Sequence, residues 1–159
     1  SDFGGFRTQG TGYSIDYLIE QLQNILNLNR IWKVAIVGAG ALGRALTRYQ
    51  GFANQGIEIV LLFDNHPGVV GTRVGPITIQ HVDTMVKDIH EQDIKIAILT
   101  VPAEAAQLTA DLMVIAGVKA ILNYTPQTLS LPEGVHVQNI DPVLQLQRMM
   151  YYLPNELIA

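Results

Sequence analysis

The chain has no cysteine, which excludes disulfides, thiolate metal sites and thiol-based redox sensing, so a redox signal would have to be read through a bound cofactor. Basic residues are scarce. Ten Lys and Arg stand against 14 Asp and Glu, a net charge of −4, whereas a duplex-binding surface draws on the opposite balance. The sequence as it stands is expected to bind nucleic acid poorly. No apolar run approaches the ~20 residues of a membrane-spanning helix, and the first residues lack the basic-then-apolar pattern of a secretory signal. The expectation is a cytoplasmic protein with no membrane contact. The four histidines, His66, His81, His90 and His136, are scattered without metal-ligand spacing, so no metal site is expected. What remains is 48% apolar and 15% charged residues over a length of 159, which describes one folded globular domain.

Organisation follows from glycine content and periodicity. Ser1 to Gly12 is glycine-rich and reads as a flexible lead-in segment, although Phe3 and Phe6 are odd in a pure linker. Ser14 can cap a helix whose apolar positions Ile15, Leu18, Ile19, Leu22, Ile25 and Leu26 follow the 3.6 period. Strands and helices then alternate. Strands are predicted at 33–37, 58–63, 77–79, 94–101, 119–123 and 136–140, and helices at 42–53, 82–91 and 103–116. Alternation with short loops means an α/β fold with a doubly wound, mostly parallel Rossmann-type sheet. The stretch from Asp141 to Leu153 reads as a low-charge helix with no obvious place in a finished sheet.

The chemistry gathers at one turn. Gly38-Ala39-Gly40-Ala41-Leu42-Gly43 matches G-x-G-x-x-G between a predicted strand and a predicted helix. Gly38 permits the tight turn, Gly40 lets backbone approach a pyrophosphate, and Gly43 lets the helix pack close to the sheet. The helix start then offers unpaired N–H groups to phosphate. Asp64 follows at about 20 residues, at the end of the second strand, where a carboxylate takes ribose hydroxyls and repels a 2′-phosphate. That points to NAD and NADH over their 2′-phosphorylated counterparts. The plainer alternative is a packing turn with Asp64 capping a loop.

Thr100-Val101-Pro102 and Asn123-Tyr124 end two further strands, where ligands of such sheets bind; each has a simple strand-to-helix or strand-to-loop turn as its alternative. His66 near adenine, Arg44 near phosphate and Tyr49 near the cofactor are weaker candidates, with exposed or half-buried side chains as the bland readings. No catalytic residues are assigned. No tyrosine has a lysine four residues later, and no Ser-His-Asp set or carboxylate pair can be argued from position. A dinucleotide site without catalytic groups points to a protein that reads the cofactor. The rival readings are the nucleotide-binding fragment of an NAD-dependent dehydrogenase and a CoA-binding domain.

Four runs carry a family resemblance: Ser1-Asp2-Phe3-Gly4-Gly5-Phe6 with Gly10-Thr11-Gly12-Tyr13, Val37 through Leu46, Leu99-Thr100-Val101-Pro102-Ala103-Glu104-Ala105-Ala106, and Gly117 through Asn123. Together they resemble the bacterial redox-sensing repressors of the Rex family over nearly the whole chain. The resemblance implies a homodimer whose operator DNA is met only through an N-terminal winged-helix domain that this sequence does not include. NADH would lower the DNA affinity of the full-length dimer, and NAD⁺ would compete with it. It implies a division into a linker segment and helix over 1–30, a Rossmann domain over 31–140 and a dimerisation helix over 141–159, exchanged between subunits. It also places Tyr49 and the partner's Asp141 near the nicotinamide, where a carboxylate would distinguish the cationic ring from the neutral one. Two positions depart from the family pattern: Pro142 stands after Asp141, where Leu or Phe is usual, and Tyr124 replaces a usual Phe.

Overall fold

The computed structural model describes residues 31–140 together with Gln147, which is helical and exposed. The helix expected over 15–26, the helix expected over 141–153 and Asp141 lie outside the described residues.

β1 (Trp32–Val37) is apolar apart from Lys33, as befits a strand with both faces covered. β2 (Ile57–Asp64) lies beside it in parallel, with a register shift opposite Val34 and Ala35. Between them run α1 (Ala41–Arg48) and a 3₁₀ segment, Gln50–Gln55. The single helix expected over 42–53 is therefore two pieces. The chain turns extended at Tyr49, whose ring lies edge-on to Phe52 with centroids 4.9 Å apart. Gly51 sits under that ring and is itself a poor helix former.

β3 (Arg73–Val74) and β4 (Ile77–Thr78) form a small antiparallel ladder around Gly75, which has φ +59°. The third strand of the main sheet is instead β5 (Gln80–His81), where the sequence had pointed to 77–79. The apolar residues that misled, Ile77 and Ile79, pack with Val74 onto one core face from outside the sheet. A 3₁₀ turn (Val82–Thr84) leads into α2 (Met85–Glu91). β6 (Ile96–Leu99), α3 (Ala103–Ala116), β7 (Ala120–Asn123) and β8 (His136–Asn139) complete the described fold.

The main sheet has six strands in the order β5-β2-β1-β6-β7-β8, and every pairing is parallel. This is the doubly wound order, with its reversal between β1 and β6. One face carries Ile36, Leu62, Ile98 and Leu122 against Leu46 of α1 and Phe52. The other carries Val37, Phe63, Leu99 and Ile121 against Met85 and Ile89 of α2 and Ala106, Ala110 and Met113 of α3. The alanines let α3 lie close to the strands. No helix joins β7 to β8; Leu129, Leu131 and Val135 of that connection pack on the second face in its place. The ladder continues past the strand ends at one rim. Gly38 N–H donates to Phe63 O (2.8 Å), Thr100 N–H to Val37 O (2.9 Å) and Tyr124 N–H to Leu99 O (2.9 Å). The rim is thus hydrogen-bonded from strand to strand where the candidate residues stand.

Candidate functional site: a cleft at the carboxyl ends of the strands

The turn from β1 to α1 is built by close contacts. Gly38 has φ +113°, and a Cβ there would sit 2.5 Å from the Thr100 carbonyl oxygen. At Gly43 a Cβ would overlap the Gly38 carbonyl oxygen, so helix and turn touch backbone to backbone. Gly40 differs. It caps α1 with φ −76° and ψ −163°, and nothing lies within 4 Å of where its Cβ would be. Gly38 and Gly43 therefore serve packing, and Gly40 faces open space. α1 has no side-chain N-cap and no acidic residue in its first turn, which leaves its first N–H groups available to an anion.

Thr100 fastens this turn from the neighbouring strand. Its hydroxyl lies 2.8 Å from Gly38 O and 3.1 Å from Val37 O and shares its one proton between these acceptors, so the side chain braces the glycine loop. Asp64 fastens it from the other side. Oδ2 accepts from Ala39 N–H at 2.7 Å, and Oδ1 accepts from His66 N–H at 2.8 Å. A carboxylate offers about four acceptor positions, and these two bonds leave room for ribose hydroxyls. Asp64 thus ties a loop, as the plainer alternative had it, and also lines the cleft.

The cleft has a volume of about 650 Å³, within the usual range for small-molecule sites. It brings together Gly38, Ala39, Gly40, Asp64, Thr100, Val101 and Pro102. Among the described residues that line it, Asp64 is the one acidic or basic side chain apart from the imidazole of His66. From the described residues, a phosphate here would meet backbone N–H groups and a helix end. The far wall was not anticipated. It consists of Val69, Val82 and Met85 on one side and Ala105, Leu108 and Leu112 of α3 on the other. Leu108 remains 67% exposed. The signal was present in the sequence as the i, i+3, i+4, i+7 stripe Ala105, Leu108, Thr109, Leu112, but α3 also carries a core stripe that masks it. This apolar slot suits a flat heteroaromatic base.

Other predicted residues lie elsewhere. Ala41 and Leu42 are exposed in the first turn of α1. Tyr49 is 59% exposed and does not line this cleft, and Arg44 is exposed as well. Asn123 is fully buried. Its amide nitrogen donates to Gln127 O and Asn139 Oδ1, both at 2.9 Å, and its amide oxygen accepts from Thr125 N–H and the Thr125 hydroxyl. Each of its hydrogen-bonding groups is used within the protein, so the side chain organises the segment after β7. Tyr124 packs against the first core face with its hydroxyl buried and without a partner among the described residues. That burial pushes its phenol well above the usual tyrosine range.

Comparison with known proteins bears on this arrangement. Residues 29–127 match the CoA binding domain family. The redox-sensing transcriptional repressor Rex of Chloroflexus aurantiacus is 49% identical over 156 residues, covering 98% of this chain and 74% of that protein. Two crystal structures of RSP, a Rex-family repressor, share the fold. One, in complex with NADH, is 33% identical with a TM-score of 0.77, covering 91% of this chain and 70% of that one. The other, in complex with NAD⁺ and operator DNA, is 36% identical with a TM-score of 0.78, covering 99% and 72%. At this level of identity and coverage, and with the same fold, the chain belongs to the Rex redox-sensing transcriptional repressors.

Proposed function

We propose that the cleft holds NAD(H), and that its occupancy by NADH lowers the DNA affinity of the full-length repressor. The observation that carries the reading is Asp64, whose carboxylate stands at the end of β2, bonded to Ala39 N–H beside the open space at Gly40. The pyrophosphate lies over Gly40 and the start of α1, the adenine between α2 and α3, and the adenosine ribose on Asp64. Solved structures of a relative with NADH and with NAD⁺ plus operator DNA support this reading. The nicotinamide half extends toward Thr100, Val101, Pro102 and the backbone of Asn123 and Tyr124. In this reading the Asn123 side chain holds that backbone in place. Residues 31–140 form the sensor unit. The C-terminal segment of 141–159 makes a homodimer, so that Tyr49 and an Asp141 coming from the other subunit stand near each nicotinamide. A repressor of this kind works in the cytoplasm and carries out no reaction of its own.

The name of the matched domain family keeps CoA as a second ligand to test. Asp64 argues against it, because CoA carries a phosphate on its adenosine ribose that a carboxylate there repels. Calorimetry with NADH, NAD⁺, NADPH and CoA decides. Expected is NADH binding at roughly micromolar affinity or tighter, with NADPH and CoA at least about tenfold weaker. Tight CoA binding without NADH binding would overturn the proposal. In the full-length protein, NADH should release a fluorescent operator duplex, and an unchanged anisotropy would refute the regulatory part.

A further inference from the structure

His66 has a ring donor with no partner among the described residues. Its ring lines the cleft beside Asp64. The residue is held from several directions: its N–H donates to Asp64 Oδ1, and its carbonyl accepts from Val69 N–H and Val70 N–H, each at 3.1 Å. The ring is fixed as well. Gly68 N–H donates to Nδ1 at 2.9 Å, and a Cβ at Gly68 would press on the imidazole at 2.9 Å from Cε1. A nitrogen that accepts a hydrogen bond carries no proton, so the neutral ring must carry its proton on Nε2. Nε2–H has no partner among the described residues.

We infer that His66 is a second reader of the adenosine ribose, donating from Nε2–H to a hydroxyl oxygen whose own proton goes to Asp64. The inference rests on the NAD(H) reading above and deepens it. A hydroxyl both donates and accepts, and the cleft offers the matching pair: Asp64 accepts only, and His66 donates only. A deoxy position satisfies neither group. A phosphate ester in that place has no proton for Asp64 and adds charge beside it.

The test uses ADP-ribose and its 2′-deoxy and 3′-deoxy forms, titrated against the whole chain. His66→Asn keeps a side-chain acceptor for Gly68 N–H, as in an Asx turn, but loses the donor at Nε2. Expected is a loss of roughly three- to tenfold in ADP-ribose affinity, no further loss for the deoxy form that lacks the contacted hydroxyl, and partial recovery in His66→Gln. Circular dichroism on each variant shows that the fold is kept. Equal affinity of His66→Asn and wild type for ADP-ribose overturns the inference while leaving the NAD(H) reading intact. So does an equal loss for the parent ligand and both deoxy forms. A wild-type protein that binds neither NADH nor ADP-ribose overturns both.

Discussion

Two alanine substitutions in the same turn should fail in opposite ways. Gly40 has a backbone conformation open to alanine and nothing within 4 Å of the new methyl. Replacing glycine where the conformation is compatible stabilises by about 0.4–1 kcal/mol through the unfolded chain. Alanine is a poorer N-cap than glycine by a similar amount. The two effects offset, and Gly40→Ala should lie within about 0.5 kcal/mol of wild type in urea unfolding. The methyl nevertheless occupies the space through which a pyrophosphate reaches the backbone. Loss of one charge-assisted hydrogen bond, about 1.5–3 kcal/mol, predicts a roughly 10- to 150-fold fall in NADH affinity. Gly43→Ala is the reverse case, because its methyl overlaps the Gly38 carbonyl oxygen and faces the Thr100 hydroxyl at 3.1 Å. Backbone cannot yield as a flexible side chain does, so a stability loss of about 2–4 kcal/mol is expected without any ligand. Urea melts of the ligand-free protein and calorimetry with NADH separate the two outcomes. Gly40→Ala binding NADH within threefold of wild type (roughly the scatter of such comparisons) would sink the phosphate assignment. A fully stable Gly43→Ala would sink the packing argument.

Further outcomes follow from single groups. Asp64→Ala should narrow the preference for NADH over NADPH by about tenfold or more, read by competition calorimetry. It should also destabilise by about 1–3 kcal/mol, since Ala39 N–H and His66 N–H lose their acceptor. Asn123→Ala should lose about 2–4 kcal/mol in urea melts, because four hydrogen bonds at a fully buried site go unmade together. Tyr124→Phe should be as stable as wild type or about 0.5–1 kcal/mol more stable at neutral pH, since it removes a buried hydroxyl without a partner among the described residues. The folded Tyr124 phenol is raised above its unfolded value of 10.0, so its contribution is present below pH 10 and is lost as pH rises beyond it. Alkaline unfolding should therefore be less steep in Tyr124→Phe than in wild type, and identical slopes would refute the burial argument.

The glycine turn and Asp64 were legible because each is a local requirement. A tight turn, a close backbone approach and a carboxylate at a strand end leave marks at fixed spacing. The central strands were legible for a related reason: a run such as Ile36-Val37 or Ala97-Ile98-Leu99 is apolar because both sheet faces are covered. β5 was not. It pairs over two polar residues at the sheet edge, while the apolar Ile77 and Ile79 nearby serve a ladder outside the sheet. The break at Tyr49 also left no clear mark, since it rests on a ring folding over Gly51 rather than on a proline. The commitment of Asn123 was beyond sequence reading, because its partner Asn139 arrives from β8 only once the sheet is assembled. The apolar wall on α3 was present as a stripe but needed the position of α2 to give it meaning.

The double engagement of Asp64 bears on how cofactor preference can change over time. Here the same group anchors the Ala39 amide and the His66 amide. A lineage moving toward a 2′-phosphorylated cofactor would first need another acceptor for those two amides, since otherwise the step that admits the new ligand loosens the loop that must hold it. Preference and architecture are coupled at one residue, so drift in the first is restrained by selection on the second.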